Sequence, residues 1–370
     1  MIKVCHMTSA HGEEDVRIFH KECVSLAKAG YEVYLVERGE SREKNGVHII
    51  GVGEIPQSRR KRMTEGARKV YEAARAVDAD IYHFHDPELL PYGLKLKRAG
   101  KTVIFDSHEN TKESILEKDW IPLPIRKIIY YSYAKYEAYI CRQLDAVISV
   151  TPNIVEYYRK INPKVCQIAN FPMYRDNIAL PKFENKSLAF AGMVVPAWHH
   201  HVLLEALEKN PDCRYSLCGD GSDSYLAQLQ AMPAWKQVDF YGKIPHLQVA
   251  EVLASSYIGV ALDSYCRNAD WKNGTIGNTK IFEEMMAGLP VICTDFVLWR
   301  EFVDRYHCGI CVDPDNAGEV AAAIRYLLDH PDEARQMGEN GRRAVKEEFN
   351  WGVEEKKLLA FYQELPEVPK

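Results

Sequence analysis

The sequence predicts an α/β protein built as two doubly wound domains, each a mostly parallel sheet with helices on both faces. Three observations carry this. At 370 residues the chain exceeds what one hydrophobic core normally serves. Short β-rich runs alternate with helix-period segments along almost its whole length. Polar loops recur just beyond the carboxyl ends of the expected strands, where open α/β sheets place their ligands.

Taken in order, Ile2-Lys3-Val4-Cys5-His6-Met7 reads as a strand rather than a signal peptide, and the polar loop His11 to Asp15 leads into a helix from Val16 to Ala29 that Gly30 stops. Strands at Glu32 to Val36 and Val47 to Val52 follow, then a helix from Glu65 to Val77 and a strand from Ile81 to His85. Leu89 to Arg98 is helical, Thr102 to Asp106 is a strand ending in Ser107-His108-Glu109-Asn110, and a long helix from Ile125 to Leu144 precedes the strand Ala146 to Val150. The first domain is set at residues 1–170, with 171–186 as a linker.

The second domain, 187–348, repeats the alternation. Strands are expected at Ser187 to Gly192, Tyr215 to Gly219, Val238 to Tyr241, Ile258 to Leu262, Val291 to Thr294 and Ile310 to Val312. Helices fall at Val202 to Glu208, Tyr225 to Gln230, Leu247 to Ala254, Lys280 to Ala287, Ala317 to Leu328 and Pro331 to Glu348. Residues 349–370 hold a last helix, a candidate to cross back onto the first domain.

The segment Asn278 to Thr294 puts a polar turn, an amphipathic helix, a Gly-Leu-Pro corner and a buried strand within seventeen residues. Asn278 or Thr279 is a candidate helix cap, leaving backbone N–H groups and Lys280 to face an anion, with Glu283 one turn further in to accept hydrogen bonds from sugar hydroxyls. Read alone, the segment is equally an ordinary αβ connection whose glutamate is solvated. What shifts the balance is company: the loops at His11 to Asp15, His85-Asp86, His108-Glu109, Gly192, Gly219-Asp220-Gly221 and Gly277 to Lys280 all occupy corresponding places, so that loops of the two domains are expected to face one another across a cleft.

Composition excludes several classes. A net charge of −5 gives no general reason to expect nucleic-acid binding, and 46% apolar with 27% charged residues is an ordinary soluble balance. No apolar run approaches the roughly 20 residues of a membrane span, so a cytoplasmic location is expected. The ten cysteines are scattered, many within apolar runs, which suits reduced core thiols. Cys308-Gly309-Ile310-Cys311 has no partner pair at zinc spacing, and adjacent histidines at 199–201 point in different directions on a helix, so no metal site is assigned.

The ordered set Arg17-Ile18-Phe19, His83-Phe84-His85-Asp86, Phe105-Asp106-Ser107-His108-Glu109, Phe190-Ala191-Gly192, Cys218-Gly219-Asp220-Gly221, Phe240-Tyr241-Gly242-Lys243 and Lys280-Ile281-Phe282-Glu283 resembles the retaining glycosyltransferases of family 4, group 1, over nearly the whole chain. The resemblance implies the two-domain GT-B fold. It implies a nucleotide-sugar donor, a UDP- or GDP-sugar, held mainly by the second domain, and a glycan or lipid-linked glycan acceptor held by the first, in cell-surface polysaccharide or glycoconjugate assembly. Glu283 matches the second glutamate of the family's EX7E pattern, which holds the ribose, and His108 the histidine near the reacting sugar. With Lys280 these form the candidate catalytic set. Gly12, Gly192, His199, Gly219, Gly242, Lys243, Asn278, Thr279, Lys280 and Glu283 form the candidate donor set. Asp15, Arg17, His85, Asp86 and Glu109 form the candidate acceptor set, with Asp15 and Arg17 either positioning hydroxyls or pairing with one another. No cofactor or metal is implied, since positive charge and helix N-termini steady the departing diphosphate.

The chain also departs from the pattern. Thr275 stands where the first EX7E glutamate belongs, Met193 where a diphosphate-binding arginine is expected, and Trp198 where its lysine is expected. Lys280, the neighbouring amides and the histidines at 199–201 are the candidate replacements. These departures keep open a second reading, a sugar-nucleotide-binding partner subunit without catalysis; a GT-B sugar-nucleotide epimerase is a third, though it would need more carboxylates in the cleft than the sequence places there. On the acceptor side, the cation cluster Ser58-Arg59-Arg60-Lys61-Arg62, read as a loop, and the tyrosine- and isoleucine-rich helix from Ile125 suggest peripheral contact with an anionic inner membrane face, against a plain solvated loop and a half-buried helix.

Overall fold

The computed structural model describes residues 1–55, 58–108, 110–178, 180–181 and 183–365. The chain divides into two compact units, one of Met1–Asn170 together with the C-terminal stretch from Trp351, the other of Phe171–Asn350.

Among the described residues, unit 1 carries β1 (Lys3–Met7), β2 (Glu32–Glu37), β3 (Arg42–Lys44), β4 (Val47–Gly51), β5 (Ile81–Phe84), β6 (Thr102–Ser107), β7 (Ala146–Ser149) and β8 (Val165–Gln167), in the sheet order β3-β4-β2-β1-β5-β6-β7-β8. Every pair is parallel except β3 with β4. The central strands are buried on both faces, which is why they read as continuous apolar runs. Cys5, Met7, Tyr82, Phe84, Val103 and Phe105 pack on one face. Val4, Ile81, Ile104 and Ile148 pack on the other, against Ile18, Phe19, Leu358 and Phe361. The helix Trp351–Gln363 belongs to that second face, where Trp351 Nε1 donates to Ser25 Oγ at 3.0 Å.

Unit 2 holds β9 (Ser187–Ala191), β10 (Arg214–Cys218), β11 (Val238–Gly242), β12 (Ile258–Ala261), β13 (Val291–Thr294) and β14 (Gly309–Val312), all parallel, in the order β11-β10-β9-β12-β13-β14. Its core runs from Leu188, Phe190, Tyr215 and Leu217 to Ile324 and Leu327 of the helix Ala317–Asp329. In each unit the strand order reverses about the first strand, between β1 and β5 and between β9 and β12. Ligand-binding loops belong at such reversals.

Several expectations change. The cations at 59–62 are not in a loop: Arg59–Lys61 and Arg62–Gly66, the latter a π-type turn, are helical and run into the helix Ala67–Val77, as suits Arg and Lys, which are good helix formers. The helix from Val16 is also π-type over Val16–Cys23 before turning α over Val24–Lys28. Helices Thr111–Leu116, Pro152–Arg159 and Val297–Tyr306 and the strands β3 and β8 were not anticipated. Thr111–Leu116, β3 and β8 are too short to show a period, whereas Val297–Tyr306 buries Trp299, Phe302 and Val303 at helical spacing.

Candidate active site

In unit 2 the loops after β9, β10 and β11 are tied together through the backbone. Gly192 N–H donates to the Cys218 carbonyl at 2.9 Å, Val194 N–H to that of Asp220 at 2.8 Å, and Gly219 N–H to that of Gly242 at 2.8 Å. Gly219 allows this at φ 143°, where any Cβ would overlap the Gly192 carbonyl oxygen. Above these loops lies a pocket of about 700 Å³ lined by Gly192, Met193, Gly219, Lys243, Lys280 and Glu283, among others.

Lys280 opens the helix Lys280–Met286, and its stem crosses Gly192 so closely that a Cβ there would overlap Lys280 Cε and lie 3.1 Å from Nζ. Trp198, standing where a lysine was expected, instead supports Lys280: the ammonium sits 4.9 Å from the centre of its ring. Glu283, one turn along, lines the same pocket, so a cation and a carboxylate share one wall.

The other donor candidates are not among the residues that line this pocket. Thr279 is the N-cap residue but its side chain caps nothing. Asn278 accepts from Lys280 N–H at 3.4 Å and donates to Asp263 Oδ2 at 3.1 Å, so its amide belongs to the loop and not to the pocket lining. Burial pushes the Asp263 carboxyl up to about 6, against the hydrogen bonds it accepts from Asn278 and Ser264. His199 is not a phosphate donor here: Nδ1 lies 3.2 Å from the Leu262 carbonyl and Nε2 3.0 Å from Asp315 Oδ1, in a left-handed turn at φ 45°. His200 and His201 pair with the hydroxyls of Tyr215 and Tyr225, at 2.9 and 3.2 Å. The three imidazoles thus diverge. Thr275 Oγ1 accepts from Gly277 N–H at 3.0 Å, shaping its own loop. Gly12 belongs to unit 1, where an added Cβ would meet Arg38.

In unit 1 the loops after β1, β5 and β6 form a second pocket, of about 750 Å³, lined by His11, His85, Asp86, Ser107 and His108 and by Ile129, Tyr133 and Tyr136 of the helix Leu123–Cys141. Asp86 is buried and pins the first loop, accepting from Thr8 Oγ1 at 2.9 Å and Ser9 N–H at 2.6 Å. His108 Nε2 lies 3.0 Å from His11 Nε2, one donating to the other, and His108 Nδ1 is 3.5 Å from Asp106 Oδ2.

Asp106, not assigned a role from sequence, organises this end of the sheet. Arg17 donates to both its oxygens, at 2.8 and 3.0 Å, and His85 Nδ1 lies 3.0 Å from Oδ2. Burial pulls its pKa up, but Arg17 and the histidines outweigh that and hold it well below the usual carboxylate range. Arg17 is therefore not an acceptor-facing group: it is buried, its guanidinium is committed to Asp106 and to Glu22 at 3.2 Å, and it does not pair with the Asp15 side chain. Asp15 instead caps the helix, accepting from Arg17 N–H and Ile18 N–H at 2.8 and 3.0 Å, with His11 Nδ1 at 3.3 Å. Of the acceptor candidates, His85 and Asp86 line the pocket. Glu109 lies outside the described residues. A charged residue inside the β-rich run Phe105-Asp106-Ser107 was the signal for Asp106.

Among the described residues, no helix is long and apolar enough to cross a membrane. The helix Leu123–Cys141 nevertheless exposes large apolar groups, with Ile128 66% and Tyr131 63% accessible.

The chain matches two family descriptions in succession, "Glycosyltransferase Family 4" over residues 17–171 and "Glycosyl transferases group 1" over residues 175–344. It is 21% identical over 296 residues to the D-rhamnosyltransferase WbpZ of Pseudomonas aeruginosa, covering 74% of this chain and 71% of that one. To the phosphatidyl-myo-inositol mannosyltransferase of Mycolicibacterium smegmatis it is 24% identical over 354 residues, 91% and 86% of the two chains. Among solved structures, sucrose-phosphate synthase from Thermosynechococcus elongatus superposes with a TM-score of 0.75 at 17% identity, covering 98% of each chain.

Proposed function

This chain belongs to the group 1 glycosyltransferases of family 4, and from that premise we propose that it moves a hexose-type sugar, with retained anomeric configuration, from a UDP- or GDP-sugar bound by unit 2 to a glycan or lipid-linked glycan acceptor. The observation that carries the reading is the pairing of Lys280 and Glu283 on one wall of the unit 2 pocket. An ammonium at that place meets the diphosphate, and a carboxylate one helical turn away accepts hydrogen bonds from the ribose hydroxyls. Gly242 and Lys243 run along the base.

In the proposed reaction the acceptor hydroxyl attacks the anomeric carbon on the face from which the diphosphate departs. The C–O bond to the acceptor forms as the bond to the phosphate oxygen breaks, and that oxygen takes the hydroxyl proton. Lys280 offsets the charge that grows on the leaving group. His108, steadied by Asp106 and His11, is the candidate to hold the sugar's hydroxyls. The chemistry calls for no cofactor and no divalent ion at the diphosphate.

The unit 1 pocket combines His11, His85, Asp86 and His108 with an aromatic wall from Tyr133 and Tyr136, a mixture suited to a sugar joined to an apolar carrier. Exposed Ile125, Ile128, Tyr131 and Tyr139 beside Arg126, Lys127 and Lys135 favour peripheral contact with an anionic inner membrane face. The likeness to an enzyme named for a phosphatidyl-inositol acceptor supports the same choice.

The test is nucleotide release from a panel of UDP-, GDP- and dTDP-sugars in EDTA, with a membrane extract supplying acceptors. Turnover with one donor class is expected. Binding of a donor without turnover would instead favour a non-catalytic partner subunit.

A further inference from the structure

Three histidines and a glutamate of unit 1 converge inside the sheet's second face. Parallel pairing of β1 with β5 sets His6 opposite His83, and the period of two along a strand turns His85 to the same side. Glu22 reaches them from the π-type turn Val16–Cys23. One ring nitrogen each of His6, His83 and His85 and one Glu22 carboxylate oxygen all lie within 4.8 Å of one another, and all four residues are buried.

Hydrogen bonds join the three histidines to one another and to the Tyr362 hydroxyl, and the Glu22 carboxylate is left outside them. Glu22 Oε2 stands 3.9, 3.8 and 4.0 Å from the nitrogens of His6, His83 and His85, too far for hydrogen bonds. That oxygen has no hydrogen-bond partner among the described residues, although Glu22 is 0% exposed. A tetrahedral ion bound at about 2.0–2.1 Å separates its ligand atoms by roughly 3.3 Å, so modest closure of this cage makes the site.

The surroundings are those of a ligated histidine. Asp106, held ionised by Arg17, accepts from His85 Nδ1–H at 3.0 Å, which leaves the Nε2 lone pair facing the centre. Arg17 Nη2 meets the other Glu22 oxygen at 3.2 Å. With His85 Nε2 unprotonated, the 2.9 Å hydrogen bond is donated by His6 Nδ1–H, so ligation through His6 Nδ1 moves that proton to His6 Nε2. The Tyr362 hydroxyl, 2.8 Å from His83 Nδ1 and 3.4 Å from His6 Nε2, then accepts from His6 Nε2–H.

We propose that His6, His83, His85 and Glu22 form a closed, four-ligand structural site for a tetrahedral divalent cation, with zinc favoured by the three-nitrogen, one-oxygen ligand set. Having no open position, the site takes no part in the sugar chemistry, and it is separate from the absence of a divalent ion at the diphosphate. It ties β1, β5 and the first helical segment together at the base of the loops that carry His11, Asp86 and His108.

The full chain, untagged and purified from zinc-supplemented medium without chelator, should hold about one equivalent of zinc by mass spectrometry, its K-edge spectrum showing only nitrogen and oxygen ligands. Stripping with dipicolinate should lower the melting temperature, and zinc but not magnesium should restore it. Glu22→Gln and His83→Gln should lose the metal, but these buried changes can also unfold the chain, so the native protein decides. Less than half an equivalent after dialysis against zinc, or sulfur in the first shell, overturns the proposal. Neither result bears on whether the protein transfers sugar.

Discussion

Gly192→Ala isolates how Lys280 reaches the unit 2 pocket. Gly192 does not occupy the left-handed backbone region, so alanine is sterically acceptable to the chain itself. The new methyl instead collides with the Lys280 stem, overlapping Cε and lying 3.1 Å from Nζ. A flexible side chain yields to such a clash, so folding stability should change little while the ammonium leaves the pocket. A hydrogen bond from a charged donor contributes about 1.5–3 kcal/mol, which predicts a roughly 10- to 150-fold weaker affinity for whichever of UDP or GDP the protein binds. Isothermal titration measures this, and urea midpoints check the fold. In a Lys280→Ala background the same change should add less than about 0.5 kcal/mol, because its target is gone. Additive losses, or native affinity in Gly192→Ala alone, refute the reasoning.

Gly219→Ala should behave oppositely: its Cβ meets backbone, at φ 143°, so unfolding measurements should show a loss above about 2 kcal/mol, and a stable protein with only weaker binding contradicts the loop geometry. Lys280→Ala should weaken donor binding more than Thr275→Ala, whose hydroxyl serves its own loop; equal small losses place the diphosphate elsewhere. Acid sensitivity should have a component from His200, which burial and then His201 push down to about 3. The unfolded chain takes up that proton near pH 6.5 and the folded chain does not, so stability falls by about 1.4 kcal/mol per pH unit below 6.5, roughly 2 kcal/mol between pH 7 and 5. His200→Gln, which keeps a partner for the Tyr215 hydroxyl, should remove that portion of the difference in urea midpoints, and an unchanged difference discounts the buried neutral imidazole.

Most of the architecture was legible because buried parallel strands announce themselves as apolar runs. The strand β3 was not: Arg42, Glu43 and Lys44 carry no apolar period, although Asn45-Gly46, at φ 52° and 78°, is a strong hairpin signal. Of the residues lining the unit 2 pocket, Gly192, Gly219 and Lys280 were singled out from loop position, Glu283 from its place one turn into the helix, and Lys243 through the family resemblance. Arg17 was misread because its partner Asp106 is 89 residues away, on a strand brought alongside only by the sheet order, and nothing local to either residue tells of the pairing. The same holds for His199, whose left-handed turn and contact with Asp315 depend on tertiary packing. The support that Trp198 gives Lys280 shows how an apparent loss of charge can be a change in how another charge is held.

The most direct test of the account is a crystal structure of the protein with the UDP- or GDP-sugar it turns over. The diphosphate should lie within about 3 Å of Lys280 Nζ, over Gly192 and Gly219, with the ribose hydroxyls donating to the Glu283 carboxylate. A nucleotide bound away from the loops that follow β9, β10 and β11, with Lys280 and Glu283 untouched, would contradict it.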